Sequence, residues 1–160
     1  MIRPFNTIDA TVHETAFIAD DALSIGDVEI GEDASVWFGS IVRGDVNVIR
    51  SGARTNIQDM TMIHVSSKTH STILEEEITV GHNVTLHGCH VERGCLIGIG
   101  AILPDGVRVG ANSLVAACSL LTPGHQIPPN STVMGPPPRV NRQLTSDERP
   151  HLARSAPPPR

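Results

Sequence analysis

Apolar side chains recur at every sixth position of this chain. A first series begins at Val12, and its two polar members are Ser24 and Arg54: Val12, Ile18, Ser24, Ile30, Val36, Val42, Val48, Arg54 and Met60. A second series begins at Leu74 and is apolar throughout: Leu74, Val80, Leu86, Val91, Ile97, Leu103, Val109, Val115 and Leu121. Every step is six residues except the one from Leu86 to Val91, which is five.

A period of six fits neither an α-helix nor an ordinary alternating strand. It is typical of a parallel β-helix, in which each hexapeptide forms one short strand and one corner. With three hexapeptides to a turn, a coil takes about 18 residues. The pattern therefore predicts an all-β solenoid. Because a charged side chain in its core is costly unless paired, Arg54 is expected at an interface or at a distorted corner.

The breaks in the pattern predict the organisation of the chain. Residues 1–134 form the solenoid domain, and the polar residues 66–73 leave it as a short loop. Residues 135–155 begin with a Pro-rich turn and continue as a short amphipathic helix, with Val140 and Leu144 on one face. Such a helix would cover the open strand edge at the end of the solenoid. Residues 156–160 are predicted to be a disordered tail.

Composition excludes several classes of protein. Aromatic residues make up only 2% of the 160, which suits a narrow core of stacked Val, Ile and Leu. The formal charge of −5 gives no basic surface for nucleic acid. Three cysteines without metal-type spacing are predicted to be small buried residues in a reducing compartment. The opening residues contain no apolar signal region, and no segment is apolar enough to span a membrane, so we expect a cytoplasmic protein.

Three histidines that lie among the apolar positions are candidate metal ligands. His82 and His87 lie five residues apart on extended chain, so their Cα atoms are expected on the order of 15 Å apart. Zinc needs ligand nitrogens at about 2.0–2.1 Å, so two such imidazoles cannot share one ion without a sharp bend. They therefore form no metal site, or one that is split between subunits. His64 lies one coil earlier near the same corner as His87, so those two can meet.

The polar residues in this region resemble the site of the γ-class carbonic anhydrases. The matching segments are Arg43-Gly44-Asp45, Asn56-Ile57-Gln58-Asp59, His64 and His82-Asn83-Val84-Thr85-Leu86-His87. The resemblance covers roughly residues 10–145. It implies the left-handed parallel β-helix of the hexapeptide-repeat proteins, a known exception to right-handed crossovers.

The resemblance also implies a function and a set of roles. It implies a homotrimer in which zinc, or in some members iron, is bound by His64 and His87 of one subunit and His82 of its neighbour. Zinc-bound hydroxide would hydrate CO2 to bicarbonate reversibly. Arg43 and Asp45 match a salt-bridge pair at the interface. Four residues are therefore candidates for a part in catalysis, Gln58 by bonding the metal-bound water and Asn56 by supporting the site: Arg43, Asp45, Asn56 and Gln58.

Two departures from the family pattern leave other functions open. Val46 stands where the better-studied members carry an acidic residue, and their longer acidic loop is reduced to the segment SSKTHSTI. Both changes bear on proton transfer more than on metal binding. The alternatives are an acyl-CoA enzyme on the same fold, either acetyltransferase or thioesterase, and a non-catalytic trimeric module that keeps the metal.

Overall fold

The computed structural model describes residues 1–135, 138–143 and 145, and within them the chain is a parallel β-solenoid. The described part contains strands and no helix. Its strands are β1 (Ile2–Arg3), β2 (Thr11–Val12), β3 (Phe17–Ile18), β4 (Leu23–Ile30), β5 (Ser35–Val36), β6 (Ile41–Ser51), β7 (Asn56–Ile57), β8 (Met62–His64), β9 (Thr72–Leu74), β10 (Thr79–Val80), β11 (Thr85–His87), β12 (His90–Val91), β13 (Leu96–Ile97), β14 (Ile102–Leu103), β15 (Arg108–Val109), β16 (Leu114–Val115), β17 (Gln126–Ile127), β18 (Ser131–Met134) and β19 (Arg139–Gln143).

The strands stack on three faces. Face A is a parallel stack of β3, β5, β7, β10, β13, β16 and β18, so the solenoid has about seven turns. Face B holds the first halves of β4 and β6 and then β8, β11 and β14. Face C holds β2, the second halves of β4 and β6, and then β9, β12, β15 and β17. The long strands β4 and β6 turn from face B to face C.

Each face points one aliphatic column into a shared core. On face A the column is fully buried over six successive turns: Val36, Ile57, Val80, Ile97, Val115 and Val133. The column residues of one coil meet those of the other two faces, which explains how so few aromatic rings suffice. The predicted six-residue periodicity and the solenoid that it implies are confirmed.

The predicted frame is wrong between Val42 and Leu74. On β4 and β6, Ile25 pairs with Arg43 at a separation of 18 residues, but Val28 pairs with Ile49 at 21. A bulge in β6 therefore adds three residues. The inward positions become Ser51, Ile57 and Ile63 in place of the predicted Val48, Arg54 and Met60. Because Val48 lies within the bulge and keeps the six-residue spacing, the apolar pattern concealed the insertion.

Arg54 consequently needs no special interface to explain it. It sits at a corner with φ 55°, its side chain is half exposed, and its guanidinium contacts Glu77 at 3.0 Å. The separation of paired residues changes at two further places, which are the predicted loop and the five-residue step in the apolar pattern. The separation of paired residues grows to 23 across residues 66–71, as for Ile49 and Thr72. It then falls to 17 between Ile73 and His90 before returning to 18.

The predicted C-terminal helix is wrong for Arg139–Gln143, which form strand β19. This strand runs antiparallel to β18, and Val140 pairs with Val133. It supplies backbone partners to the open edge of face A, which is the task that the helix was expected to perform. The rest of the predicted helical segment and the tail at 156–160 lie outside the described residues. Among the described residues there is no helix long and apolar enough to span a membrane.

The three cysteines divide into two kinds. Cys89 and Cys95 are buried as expected, and burial raises the pKa of each thiol to about 12. Cys118 contradicts the prediction, because it is exposed at a corner with φ 58°. All three are free thiols.

Candidate metal centre

Three of the predicted site residues stand in one column on the outer side of face B. Val42, Ile63 and Leu86 point into the core of successive coils. Because side chains alternate along a strand, the residue that follows each of them points outward. Those residues are Arg43, His64 and His87, and the last two are directly paired in the β8–β11 register.

His64 and His87 meet through their ring nitrogens. Nδ1 of His64 lies 3.1 Å from Nε2 of His87, and the ring centroids are 5.1 Å apart. Two nitrogens bound tetrahedrally to one zinc at about 2.05 Å would be about 3.3 Å apart. The observed spacing is therefore close to what a shared metal requires, and the expectation that these two histidines meet within one chain is confirmed.

Each of these histidines bonds a carboxylate through its other nitrogen. Nε2 of His64 lies 2.9 Å from Asp45 Oδ1, and Nδ1 of His87 lies 2.7 Å from Asp105 Oδ1. Asp45 also forms an ion pair with Arg43. Burial raises the pKa of both carboxyls, but hydrogen bonds outweigh it and the net pKa is lowered. The donors are His64 and Arg43 for Asp45 and, for Asp105, Ser66 and His87.

This arrangement of hydrogen bonds favours a cation between the two rings. An ionised carboxylate only accepts hydrogen bonds, so the single N–H of each neutral imidazole faces its aspartate. The two remaining nitrogens then direct lone pairs at each other across 3.1 Å. A shared proton or a metal ion relieves that contact. The donor set, two imidazoles with carboxylate partners, is one that suits zinc or iron.

His82 is not brought into this pair. It lies at the corner between faces A and B, where its Nδ1 is 2.9 Å from Asp59 Oδ2, and its side chain is half exposed. Among the described residues, no three His, Cys, Asp or Glu side chains of a single chain converge on one metal position. A centre that uses all three predicted histidines therefore needs a second copy of the chain.

Asn56 and Gln58 lie on the His82 side of the molecule. Asn56 is buried on face A, where its Oδ1 accepts hydrogen bonds from Ser35 Oγ at 2.9 Å and Trp37 Nε1 at 2.6 Å. Gln58 is half-buried, and its backbone N–H donates to Val80. The predicted site thus separates into two groups on one chain, with Arg43, Asp45, His64 and His87 in one and Asn56, Gln58 and His82 in the other.

The predicted site omitted Asp105 and Ser66 and gave Asp59 no role. Asp105 follows His87 by 18 residues, which is one coil, so the periodicity contained the signal that places them together. Ser66 donates to the second oxygen of Asp105 at 2.6 Å and lies 39 residues before it. That contact depends on the conformation of the loop, for which the repeat gives no rule.

Comparisons with known proteins agree on family and fold, although no family model matches the chain. The chain is 43% identical over 150 residues to "Gamma carbonic anhydrase 1, mitochondrial" of Arabidopsis thaliana, with 91% of this chain and 54% of that protein covered. It therefore spans about half the length of that relative. It is 41% identical to "Carbonic anhydrase" of Geobacillus kaustophilus, with 92% of this chain and 81% of that protein covered.

Solved structures give the same architecture under different titles. A putative acetyltransferase of Bacillus cereus superimposes with a TM-score of 0.93 at 40% identity, covering 96% of this chain and 88% of that one. A hexapeptide transferase family protein of Anaplasma phagocytophilum gives 0.92 at 37%, covering 96% and 90%. The identity to the named carbonic anhydrases, together with the fold shared with these structures, shows that the chain belongs to the γ carbonic anhydrase family of hexapeptide-repeat, left-handed β-helix proteins.

Proposed function

We propose that this protein is a metal-dependent carbonic anhydrase that hydrates CO2 reversibly to bicarbonate at a site shared by neighbouring copies in a homotrimer. The observation that carries the proposal is the pair of ring nitrogens, His64 Nδ1 and His87 Nε2, that face each other at 3.1 Å while the other nitrogen of each ring contacts an aspartate. The relatives named carbonic anhydrase support the same activity.

Two histidines of one copy and one of the next would hold the metal. His64 and His87 supply two imidazole ligands, and His82 of a neighbouring copy supplies the third, which leaves one position of a four-coordinate site open. Zinc is the first candidate and iron the second. When bound, such a metal lowers the pKa of a coordinated water to about 7 and so supplies a nucleophile at neutral pH.

The residues of the chain orient the reactants. Asp45 and Asp105 fix the ring nitrogens that His64 and His87 present, and Arg43 balances the charge of Asp45. Gln58 lies on the same corner as His82, so its amide would meet the open position from the neighbouring copy and orient the attacking water by a hydrogen bond. Asn56 supports that corner from within, because its bonds to Ser35 and Trp37 hold β7 against β5.

Proton release is expected to depend on buffer. Val46, beside Asp45, is exposed and apolar. The nearest run of glutamates is engaged elsewhere, with Glu75 on His90 at 2.9 Å and Glu77 on Arg54 at 3.0 Å. General acid–base assistance is typically worth about 10²–10⁴-fold. We therefore expect a slow intrinsic rate that rises with the concentration of an imidazole-type buffer.

Stopped-flow CO2 hydration by zinc-loaded and chelated protein tests the proposal. We expect activity only in the loaded protein. His64→Ala should abolish it, because a lost ligand removes the nucleophile and not merely the proton route. His13→Ala is the matched control, since His13 is an exposed histidine whose side chain bonds Thr15, and it should keep the parent rate. Full zinc occupancy without hydration at any buffer concentration would contradict the proposal.

The structural relatives titled as transferases favour a second candidate, an acyl-CoA enzyme on the same fold. A metal-dependent thioesterase would use the same three histidines, whereas an acetyltransferase needs one catalytic histidine and a groove for CoA. Release of free CoA from acetyl-CoA, measured with and without an acceptor, separates the two. A protein that binds zinc but is inactive in both assays would be a non-catalytic module. The free thiols fit action in a reducing compartment such as the cytoplasm.

A further inference from the structure

We propose that Asp105 is a positioning residue for the metal ligand His87, and that the loop formed by residues 66–71 holds Asp105 in place. The inference rests on the proposed function, because it assigns a role toward the metal that His87 would bind. It extends that function to a carboxylate and a loop that the matched motifs do not include.

The first step is the contact between Asp105 and the ring. Oδ1 of Asp105 accepts a hydrogen bond from His87 Nδ1 at 2.7 Å, and so the neutral ring presents Nε2 as its free lone pair. That nitrogen is the one that faces His64. A carboxylate in this place fixes the tautomer and orientation of a ligating histidine and raises its basicity.

The second step is that Asp105 is itself fixed. Its Oδ2 accepts a hydrogen bond from Ser66 Oγ at 2.6 Å, and His70 Nδ1 stands 4.0 Å from the same oxygen. One oxygen therefore faces the candidate ligand and the other faces the loop. Because the carboxylate is planar, it cannot rotate away from His87 without losing Ser66.

The loop that supplies Ser66 is a closed turn tied to the body of the solenoid. The Ser66 N–H donates to the His70 carbonyl at 3.0 Å, and Lys68 at the tip has φ 62°. Asn47 in β6 donates from Nδ2 to the Ser66 carbonyl at 3.0 Å. The segment that replaces a longer acidic loop thus has the contacts of a support for Asp105.

Gly88 completes the cradle around the carboxylate. It has φ 58°, and a Cβ placed there would lie 2.2 Å from Asp105 Oδ1 and 2.7 Å from His70 Cβ. The space next to His87 is therefore filled by Asp105 and the loop, and any larger residue at position 88 would push them aside. Three separate parts of the chain converge on one carboxylate, as expected for a positioning residue.

Asp105→Asn is the direct test, because the amide keeps the shape but has only one acceptor oxygen for its two donors. We expect zinc affinity, measured by competition with a chromophoric chelator, to fall by about 10–100-fold. Ser66→Ala removes one donor without changing charge and should weaken zinc by about two- to tenfold. Glu92→Gln is the matched control, since Glu92 is a carboxylate on face C that pairs with Arg108, and it should bind zinc as the parent does.

A second readout uses the metal-free protein. Nitrogen NMR of His87 should find the proton on Nδ1 in the parent and in Glu92→Gln, and redistributed toward Nε2 in Asp105→Asn. The inference is overturned if Asp105→Asn, folded as judged by its melting temperature, keeps both the parent tautomer and the parent zinc affinity. If Asp105→Asn does not fold, unchanged zinc affinity and tautomer in Ser66→Ala overturn it. If the tautomer changes as expected but the parent neither binds zinc nor hydrates CO2, the proposed function fails, and Asp105 is left as the residue that fixes the His87 tautomer without a metal to serve.

Discussion

Each predicted ligand histidine has a carboxylate of its own. The pairs are His64 with Asp45, His87 with Asp105 and His82 with Asp59, at 2.9, 2.7 and 2.9 Å. In every pair the aspartate binds one ring nitrogen and leaves the other to be presented. His90 has a similar contact with Glu75 at 2.9 Å, so a carboxylate partner alone does not identify a ligand, but ligands of a catalytic metal commonly have one.

Buried serines provide a test at the residue scale. Ser24 and Ser40 are both fully buried, but Ser24 Oγ has no hydrogen-bond partner among the described residues, whereas Ser40 Oγ donates to Gln58 at 2.9 Å and accepts from Thr61 at 3.2 Å. We expect Ser24→Ala to raise the free energy of unfolding by about 1 kcal/mol. Ser40→Ala should lower it by about 1–3 kcal/mol, since it leaves buried partners unsatisfied.

Urea unfolding at one fixed protein concentration measures both changes. The concentration must be held constant because assembly contributes to apparent stability. An equal loss of unfolding free energy in the two variants would mean that the Ser24 hydroxyl is hydrogen-bonded in solution. It would contradict the predicted difference between Ser24 and Ser40.

At the scale of the coil, glycines set how closely successive turns approach. A Cβ at Gly98 would lie 2.4 Å from the backbone nitrogen of Ala117 in the next turn, whereas a Cβ at Gly124 would meet nothing within 4 Å. Gly98→Ala should therefore lower the free energy of unfolding by about 3 kcal/mol, because the backbones of two successive turns must separate. Gly124 has φ 73°, so Gly124→Ala should cost about 1–2 kcal/mol from backbone strain alone.

Thermal and urea unfolding of the two glycine variants measure these costs. A Gly98→Ala protein that is as stable as Gly124→Ala would show that the turns can part without penalty.

The repeat predicted the elements well wherever each coil has the same length. The second series gave every inward residue from Leu74 to Leu121 correctly, and the short step at Leu86–Val91 appears as the 17-residue coil. It failed at the bulge in β6, because Val48 kept the apolar spacing while the chain gained three residues. A bulge changes backbone geometry without a matching change in hydrophobicity, so periodicity cannot detect it.

The candidate site was predictable in part for the same reason. The pairing of His64 and His87 follows from coil geometry, and so does the separation of His82 from His87. The place of Asp105 one coil after His87 follows as well, but the hydrogen bond from Ser66 does not, because Ser66 lies in a loop outside the repeat. Strand β19 was likewise missed, since Val140 and Leu144 have helical spacing in the sequence, and pairing of residues 139–143 with the open edge of β18 determined their conformation instead.

At the scale of the whole molecule, the division of the site is the central feature. One corner of the chain carries His82 with Asp59 and Gln58, and a separate column on face B carries His64 and His87. We propose that these two surfaces meet across neighbouring copies of the homotrimer. Each copy would then donate half of two different centres, so binding of the metal and assembly would reinforce each other.

Complementation between two inactive variants tests most directly whether the metal centre is shared between chains. His82→Ala keeps His64 and His87, while the double variant His64→Ala/His87→Ala keeps His82. Each alone should lack bound zinc and CO2 hydration. When the two are co-expressed and assemble together, each mixed trimer should regain one intact centre, with zinc and activity restored in proportion. A mixture that stays as inactive as its components, or a His82→Ala protein that keeps zinc and the parent rate by itself, would contradict a centre shared between chains.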